Sequence, residues 1–263
     1  MDLLFINRVL LSFFIAGGWI AVATLLAERL GSKLGGLITN LPSNILISLI
    51  FIALTQGTHF VKEAVPGIPI GMLIDTLFLM TFILLLKYSL WLSTVGSLLS
   101  WFILAVIAVK VNYSQLYHNI ILYLLVTAVS FLFLEKIIKI LSLPQSTKKY
   151  SGVQILMRAF FAGGVVAAVV ILSKFFDPFV VGIFSAFPAV LLSTMVILAV
   201  NQSREFARAT GKVLILSSTN IVVYGLGVYW SYPRHGIILG TFISFLLAVL
   251  WVWSFRPFIH NIS

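Results

Sequence analysis

The second half of the chain contains, at residues 156–203, the stretch LMRAFFAGGVVAAVVILSKFFDPFVVGIFSAFPAVLLSTMVILAVNQS. Two apolar runs, residues 156–173 and 180–200, are separated in it by a short turn that carries Lys174 and Asp177. Each run is close to the length of about 20 residues that a membrane-spanning helix needs. Neither run alternates polar and apolar residues as the strands of a membrane barrel do, so both are predicted to be helices.

The composition extends this prediction to the whole chain. Of its 263 residues, 61% are apolar and 9% are charged, and the mean hydropathy is +1.14. A soluble domain is about 45–50% apolar and about 25% charged, so a membrane protein without a soluble enzymatic or nucleic-acid-binding domain is expected. The absence of cysteine excludes disulfides, thiolate metal sites and cysteine nucleophiles.

Further apolar runs predict an all-α, polytopic transmembrane helical bundle with about nine spans. The runs cover residues 9–27, 34–54, 67–86, 88–109, 117–134, 156–173, 180–200, 213–230 and 235–254. The fifth run is one of the three shortest, but it carries no charge between residues 120 and 134.

Lys and Arg divide unevenly between the two sides of nine alternating spans. One side receives five of them, and the other receives twelve. The positive-inside rule makes the richer side cytoplasmic, which predicts a multi-pass protein of the cell membrane with its N-terminus outside and its C-terminus in the cytoplasm. Treating the second and seventh runs as re-entrant loops would split the charges eight against nine and lose this asymmetry. Orientation and lipid headgroups then account for most of the +10 formal charge, so no nucleic-acid partner is expected.

The chain contains an internal repeat. A shift of 146 residues aligns residues 14–57 with 160–203 without a gap, and eleven of the 44 pairs are identical. The informative identities are Gly17/Gly163, Gly18/Gly164, Gly36/Gly182, Pro42/Pro188 and Gln56/Gln202. The repeat predicts two four-span units, repeat A at residues 1–110 and repeat B at 151–263, joined by a linker at 111–150 that holds the fifth span.

The parity of the spans sets the relative orientation of the two repeats. The first and sixth spans are five crossings apart, an odd number, so the two units are expected to lie upside down relative to each other. This is the inverted-repeat arrangement of many secondary transporters, which place the binding site at the interface between the units.

The sequence resembles the small GlpM-type inner-membrane proteins, which have about four spans. The matching motifs in repeat B are Gly182-Ile-Phe-Ser-Ala-Phe-Pro188, Arg204-Glu-Phe-Ala-Arg208-Ala-Thr210 and a following helix pair that ends in Trp251. Those in repeat A are Gly36-Leu-Ile-Thr-Asn-Leu-Pro42 and Gly67-Ile-Pro-Ile-Gly71, with Leu41 where the pattern favours an aromatic residue. The resemblance implies a four-helix building block that can pair antiparallel, and it leaves a homodimer open. It supplies no established activity and no catalytic residues.

Two prolines mark the first candidate binding region. Pro42 and Pro188 are each the ninth residue of their span, so both fall near the middle of the membrane. They predict either two discontinuous helices, whose freed N–H groups hold a substrate carboxylate or phosphate, or two ordinary proline kinks. The candidate polar ligands beside them are Thr39, Asn40, Ser43 and Asn44 in repeat A and Ser185 in repeat B.

Asp75 is the only acidic residue well inside any span. A charged aspartate at a helix centre costs roughly 2.5–3.5 kcal/mol on insertion scales, so Asp75 is expected to face the bundle interior. It is predicted to bind a coupling proton or Na⁺, or alternatively to hydrogen-bond a neighbouring helix for assembly. The repeat aligns it with Ile221, beside the polar run Ser217-Ser-Thr-Asn220, in which Ser218 and Asn220 are candidate neutral ligands. The same run also fits a small-residue packing surface between helices.

Two further features are assigned structural roles. The Gly17-Gly18 and Gly163-Gly164 pairs are expected to mark close helix contacts, with a functional hinge as the alternative. Arg8 and Arg158, near the starts of the two repeats, are expected to extend to lipid headgroups, with a role as substrate clamps as the alternative.

No catalytic, cofactor or metal-binding motif is present, so no enzyme, cofactor or metal site is expected. The sequence predicts a secondary transporter of a small solute that works by alternating access and is coupled to a proton or sodium through Asp75. A lipid or lipid-carrier scramblase or flippase is the alternative, and a non-transporting membrane scaffold is the third hypothesis. The expected partners are membrane lipid and a small-molecule or lipid substrate.

Overall fold

The computed structural model describes residues 3–29, 41–140 and 150–261, and within these ranges all regular structure is helical. The helices are α1 (Leu3–Arg29), α2 (Ser43–Gln56), α3 (Thr58–Ala64), α4 (Gly67–Leu85), α5 (Leu90–Val111), α6 (Leu116–Leu132), α7 (Gly152–Leu172), α8 (Pro178–Ser185), α9 (Ala189–Asn201), α10 (Arg204–Ser217) and α11 (Thr219–Asn261). A π-helical turn, Phe133–Ile137, follows α6 directly.

Seven helical stretches in the described part of the chain are long and apolar enough to cross a membrane. They are Leu3–Leu26, Gly67–Leu85, Leu90–Val111, Leu116–Ile137, Gly152–Leu172, Pro178–Asn201 and Arg204–Ser254. The chain therefore has the helices of a multi-pass membrane protein. The difference from the predicted nine has two sources: α2 is only 14 residues long and follows residues outside the described ranges, and the last stretch spans 51 residues.

This last stretch folds back on itself within α11. Gly236 has φ 72° and ψ −174°, a backbone conformation that favours glycine. On its two sides, Ser231 Oγ donates a hydrogen bond to the Gly240 carbonyl at 3.0 Å, and Trp251 Nε1 donates one to Thr219 Oγ1 at 3.0 Å. On a straight helix, Thr219 and Trp251 would be about 48 Å apart. The two parts of α11 therefore form an antiparallel hairpin.

Serine caps explain where several helices begin. The Ser89 and Ser203 hydroxyls accept the N–H groups of Leu92 and Phe206 at 3.0 Å, at the starts of α5 and α10. Ser151 and Gln154 form a capping box at the start of α7, because each side chain accepts the other residue's backbone N–H. The predicted first residue of repeat B is thus the N-cap of its first helix.

Helices α1 and α7 pack antiparallel through reciprocal glycine contacts. A β-carbon on Gly17 would lie 2.9 Å from the Ala159 carbonyl oxygen, and one on Gly163 would lie 2.5 Å from that of Phe13. The 146-residue shift exchanges these two contacts. The prediction of close contacts is therefore confirmed for Gly17 and Gly163. It is wrong for Gly18 and Gly164, which have no neighbouring heavy atom within 4 Å of such a β-carbon.

Large apolar side chains cover the outer faces of α5 and α6. Ile103, Val106, Leu125 and Val129 are all more than half exposed in the monomer. Since lipid tails solvate such side chains as well as a protein core does, these faces fit contact with the membrane interior.

Candidate functional site

The site centres on Asp75, which lies on α4 and is 2% exposed, as the sequence predicted. Its Oδ1 accepts a 2.8 Å hydrogen bond from Nε1 of Trp101 on α5, and the Trp101 side chain is fully buried. The ion pairs found in the described ranges involve Glu63 and Glu135. Within those ranges the Asp75 carboxyl group therefore has no cationic partner.

Helix α6, from the predicted linker, closes one side of this site. Tyr123 is fully buried and lies near Asp75, Thr127 and Ser218, yet its hydroxyl group makes no hydrogen bond within the described structure. The Thr127 hydroxyl is 3.3 Å from that of Thr76, the residue after Asp75. The helix of the predicted linker thus contributes polar groups to the site.

The polar run Ser217-Ser-Thr-Asn220 lies at the junction of α10 and α11 and is buried. The hydroxyl groups of Ser218 and Thr219 donate to carbonyl groups of the preceding turn at 3.3 and 2.9 Å. Ser218 lies on the Asp75 side of the junction, with Tyr123 beside both residues. The structure thus brings Ser218 to the site through Tyr123, and Asn220 is fully buried next along the run.

Pro188 interrupts its span completely. Helix α8 ends at Ser185 and α9 begins at Ala189, while Pro188 itself has φ −78° and ψ 43°. The hydroxyl group of Ser185, a predicted ligand, donates to the Gly182 carbonyl at 2.7 Å. Its hydrogen is therefore already used within α8. The helix is therefore interrupted at Pro188 rather than only kinked, and the binding of a substrate at this interruption stays a prediction.

The break at Pro188 is in contact with the ring that binds Asp75. The Phe184 and Phe187 rings pack edge-on against Trp101, with centroids 5.3 and 4.8 Å away. Two glycines make this proximity possible: a β-carbon on Gly67 or Gly71 of α4 would clash with the backbone or side chains of α8 and the residues after it. Asp75 follows Gly71 by one helical turn and therefore faces the same neighbour.

In predicted repeat A a helix likewise begins directly after the proline. Pro42 has φ −75° and ψ 56°, and α2 begins at the next residue, Ser43. The Ser43 N–H group donates to the Leu41 carbonyl at 2.7 Å, which matches the 2.8 Å bond from Ala189 to Phe187 in repeat B. Asn44, in the first turn of α2, has a buried Oδ1 without a hydrogen-bond partner within the described structure. The predicted ligands Thr39 and Asn40 lie outside the described residues.

Three residues of the site were missed from the sequence: Trp101, Tyr123 and Thr127. All three are single polar-capable side chains in the middle of apolar spans, where an N–H or O–H group needs a partner. That position distinguishes Trp101 from Trp91 and Trp230, which lie at span ends and are exposed. The pairing of these residues with Asp75 has no signal in the sequence.

A separate open pocket of about 410 Å³ lies at the end of the molecule that is predicted to be extracellular. Charged and polar groups from repeat A, the linker and repeat B line it together. Its lining residues are Lys62, Glu63, Pro66, Asn112, Ser114, Asp177, Pro178, Phe179 and Tyr229. Asp75 is not among them, so this pocket does not reach the buried carboxyl group.

At the opposite end of the molecule, α10 is tied to its neighbours by basic residues. The buried Lys212 ammonium group donates to Glu135 Oε2 and to the Ile140 carbonyl, both at 2.7 Å. Arg204 and Arg208 donate to the carbonyl groups of Tyr88 and Ile83 at 3.1 Å, near the C-terminal end of α4. The segment of residues 204–210, predicted to be a charged turn, thus forms the first part of α10, and Arg204 and Arg208 cap the end of α4.

Residues 9–114 match one family model, described as "Protein of unknown function (DUF3147)". The match covers less than half of the chain and lies almost entirely within predicted repeat A. No curated protein and no solved structure matches the chain. The resemblance to GlpM-type proteins stays a prediction.

Proposed function

We propose that this protein is a secondary transporter of a small solute, built from two inverted repeats, in which Asp75 binds the coupling proton or sodium ion. The observation that carries the proposal is the buried Asp75 carboxyl group, which has one hydrogen-bond donor and no cationic partner in the described structure. Holding a bare carboxylate in such surroundings is costly, and binding a proton or a small cation removes that cost.

Four features support the inverted arrangement with nine crossings. The glycine contacts of α1 and α7 exchange under the 146-residue shift, and these helices run antiparallel. The helix starts after Pro42 and Pro188 are equivalent, as are those of α3 at Thr58 and α10 at Arg204. The hairpin at Gly236 divides the longest apolar stretch into two crossings. The family match also ends close to the boundary between repeat A and the linker.

The coupling route follows from the contacts of Trp101. Its indole N–H group binds Asp75, while its ring packs on Phe184 and Phe187 beside the Pro188 break. Ion binding at Asp75 neutralises the carboxylate and weakens its hydrogen bond with that N–H group, and a shifted ring repacks the break. The solute is then held at the two interrupted helices, where the unpaired Asn44 oxygen is available as an acceptor. Because Asp75 is 2% exposed, this conformation corresponds to an occluded state.

The proposal is tested with the full chain reconstituted in liposomes that contain a pH-sensitive dye. A panel of small organic anions, cations and neutral solutes is added at several pH values, with and without Na⁺. We expect at least one solute to drive ion-dependent flux in the wild type, and Asp75→Asn to remove the dependence on the ion. Glu205→Gln, the same chemical change at an exposed position, should leave it intact.

Two results would contradict the proposal. One is solute flux whose pH and Na⁺ dependence survives in Asp75→Asn. The other is movement of a fluorescent phospholipid between leaflets without any solute-driven ion flux, which would favour the scramblase instead.

A further inference from the structure

Arg158 is a buried cation in the second turn of α7. The sequence predicted that its side chain extends outward to lipid headgroups, but the residue is only 5% exposed, so the side chain does not lie on the surface of the monomer. Arg8, in contrast, is partly exposed. The difference arises because Arg158 lies on the face of α7 that packs inward, together with Ile155 and Ala162.

The charge of Arg158 has no acidic partner in the described ranges, where the ion pairs involve Glu63 and Glu135. Its guanidinium group lies over the Tyr150 ring, 5.2 Å from the centroid, and its buried Nε has no hydrogen-bond partner. The side chain of Tyr150 is the one hydrogen-bond partner of this guanidinium group in the described ranges. A buried cation with so few acceptors is unfavourable unless an anion or further acceptors complete its surroundings.

A pair of amide side chains from two helices lies one helical turn before this cation. Gln154 exchanges two hydrogen bonds with Asn201 at the end of α9, at 2.8 and 2.9 Å. The amide pair fixes the ends of α7 and α9, and Arg158 Nε keeps unused donor capacity.

The duplicated fold itself does not require a cation at this position. The equivalent residue in repeat A is Ser12, which is fully buried and donates to the Val9 carbonyl at 2.7 Å. A small neutral side chain therefore satisfies the same helix contact. The arginine is specific to repeat B. The free-energy cost of burying its charge must therefore be offset by an interaction other than the packing of α1 against α7.

We infer that Arg158, with Tyr150 beside it, forms a binding site for a phosphate group at the end of the molecule where α7 begins. The planar guanidinium fork matches two phosphate oxygens at once, which favours phosphate over a simple monovalent anion. Arg158 lies about 9 Å along α7 from its first residue, and this end is the predicted cytoplasmic side. Anionic phospholipids are enriched in that leaflet, so the phosphate is supplied by a lipid headgroup or by free phosphate. This site is independent of the coupling role proposed for Asp75.

The test uses the purified full chain in detergent. Binding of dioleoyl-phosphatidic acid and of inorganic phosphate is measured by titration, with dioleoyl-phosphatidylcholine as the neutral headgroup. We expect the wild type to bind phosphatidic acid more tightly than phosphatidylcholine, and Arg158→Gln to weaken that binding at least tenfold. Arg234→Gln is the matched control, because Arg234 also lies over an aromatic ring, Trp230, but is exposed. Its affinity should stay within twofold of the wild type.

The source of the phosphate is resolved by competition. Displacement of phosphatidic acid by millimolar inorganic phosphate would identify free phosphate as a ligand. If inorganic phosphate does not displace phosphatidic acid, the lipid headgroup is the ligand. If Arg158→Gln does not fold, Arg158→Lys keeps the charge but loses the fork, and phosphatidic acid affinity should fall at least threefold. Unchanged affinity in the Arg158 variants, or no binding of either phosphate probe to the wild type, would overturn the inference.

Discussion

At the scale of single residues, the site depends on what one indole N–H group does. Trp101 can donate a hydrogen bond but cannot accept one, so its 2.8 Å contact identifies the Asp75 oxygen as an acceptor in either protonation state. The same ring packs on Phe187 at the Pro188 break. A single buried side chain therefore connects the only acid in the middle of a span with an interrupted helix.

Replacing Trp101 with phenylalanine should show the value of this bond. Trp101→Phe keeps an aromatic ring but leaves the buried carboxyl group without its donor, which costs about 1–3 kcal/mol of unfolding free energy. Chemical unfolding in detergent measures the change. Trp91→Phe, at an exposed span end, should change the free energy by less than about 0.5 kcal/mol. Equal effects of the two substitutions would show that the Asp75 contact contributes little.

At the scale of elements, the α1–α7 pair shows why the two glycines of each pair are not equivalent. Gly163 faces the Phe13 carbonyl across the helix contact, while Gly164 faces open space. Since side chains on a helix turn by about 100° per residue, only one glycine of an adjacent pair can point into such a contact.

Alanine substitution separates the two positions. Gly163→Ala forces α7 away from α1 and should lower the unfolding free energy by about 1–3 kcal/mol, whereas Gly164→Ala should have no destabilising effect and can slightly stabilise the helix. Thermal unfolding of the two variants is compared. A Gly164→Ala variant as unstable as Gly163→Ala would contradict the packing of this helix pair.

A second prediction at this scale concerns the link between the linker and repeat B. Glu135→Gln removes the carboxylate that accepts from the buried Lys212 ammonium group, and the partial exposure of Glu135 limits the loss of unfolding free energy to about 1–2 kcal/mol. Glu63→Gln removes the exposed pair with His59 and should cost less than about 0.5 kcal/mol. Differential scanning fluorimetry distinguishes them. If the two variants unfold alike, Lys212 does not depend on Glu135.

At the scale of the whole molecule, inverted repeats make a prediction about the two sides of the membrane. His59 and Glu205 are exposed residues 146 positions apart, so they are equivalent under the repeat but should lie on opposite sides. The chain has no cysteine, which allows single-cysteine variants to be made without background.

The labelling experiment compares His59→Cys with Glu205→Cys in intact cells. A membrane-impermeant maleimide should label the first variant directly, and the second only after permeabilisation. Ser114→Cys, in the loop after α5, should behave like His59→Cys. Labelling of His59→Cys and Glu205→Cys from the same side would exclude the inverted arrangement.

Much of the architecture can be predicted from local sequence because membrane insertion depends on quantities that add along the chain. The apolar runs identify the helices, the prolines identify the interruptions, and the cost of a charge in lipid identifies Asp75 as a buried residue. Each of these properties belongs to one segment, whatever it packs against. The helical fold and the burial of Asp75 were therefore open to prediction.

Only the tertiary structure decided which groups meet. Trp101 and Tyr123 carry no sequence signal that assigns them to Asp75, because apolar residues surround every helix and leave no polar face to mark its neighbour. The same limit explains Arg158, whose charge suggested exposure until the packing of α7 buried it. The sequence by itself determined the segments that enter the membrane and the points at which their helices break, since both follow from local chemistry. Partners across the bundle depend on helix rotation and contact, which exist only in three dimensions.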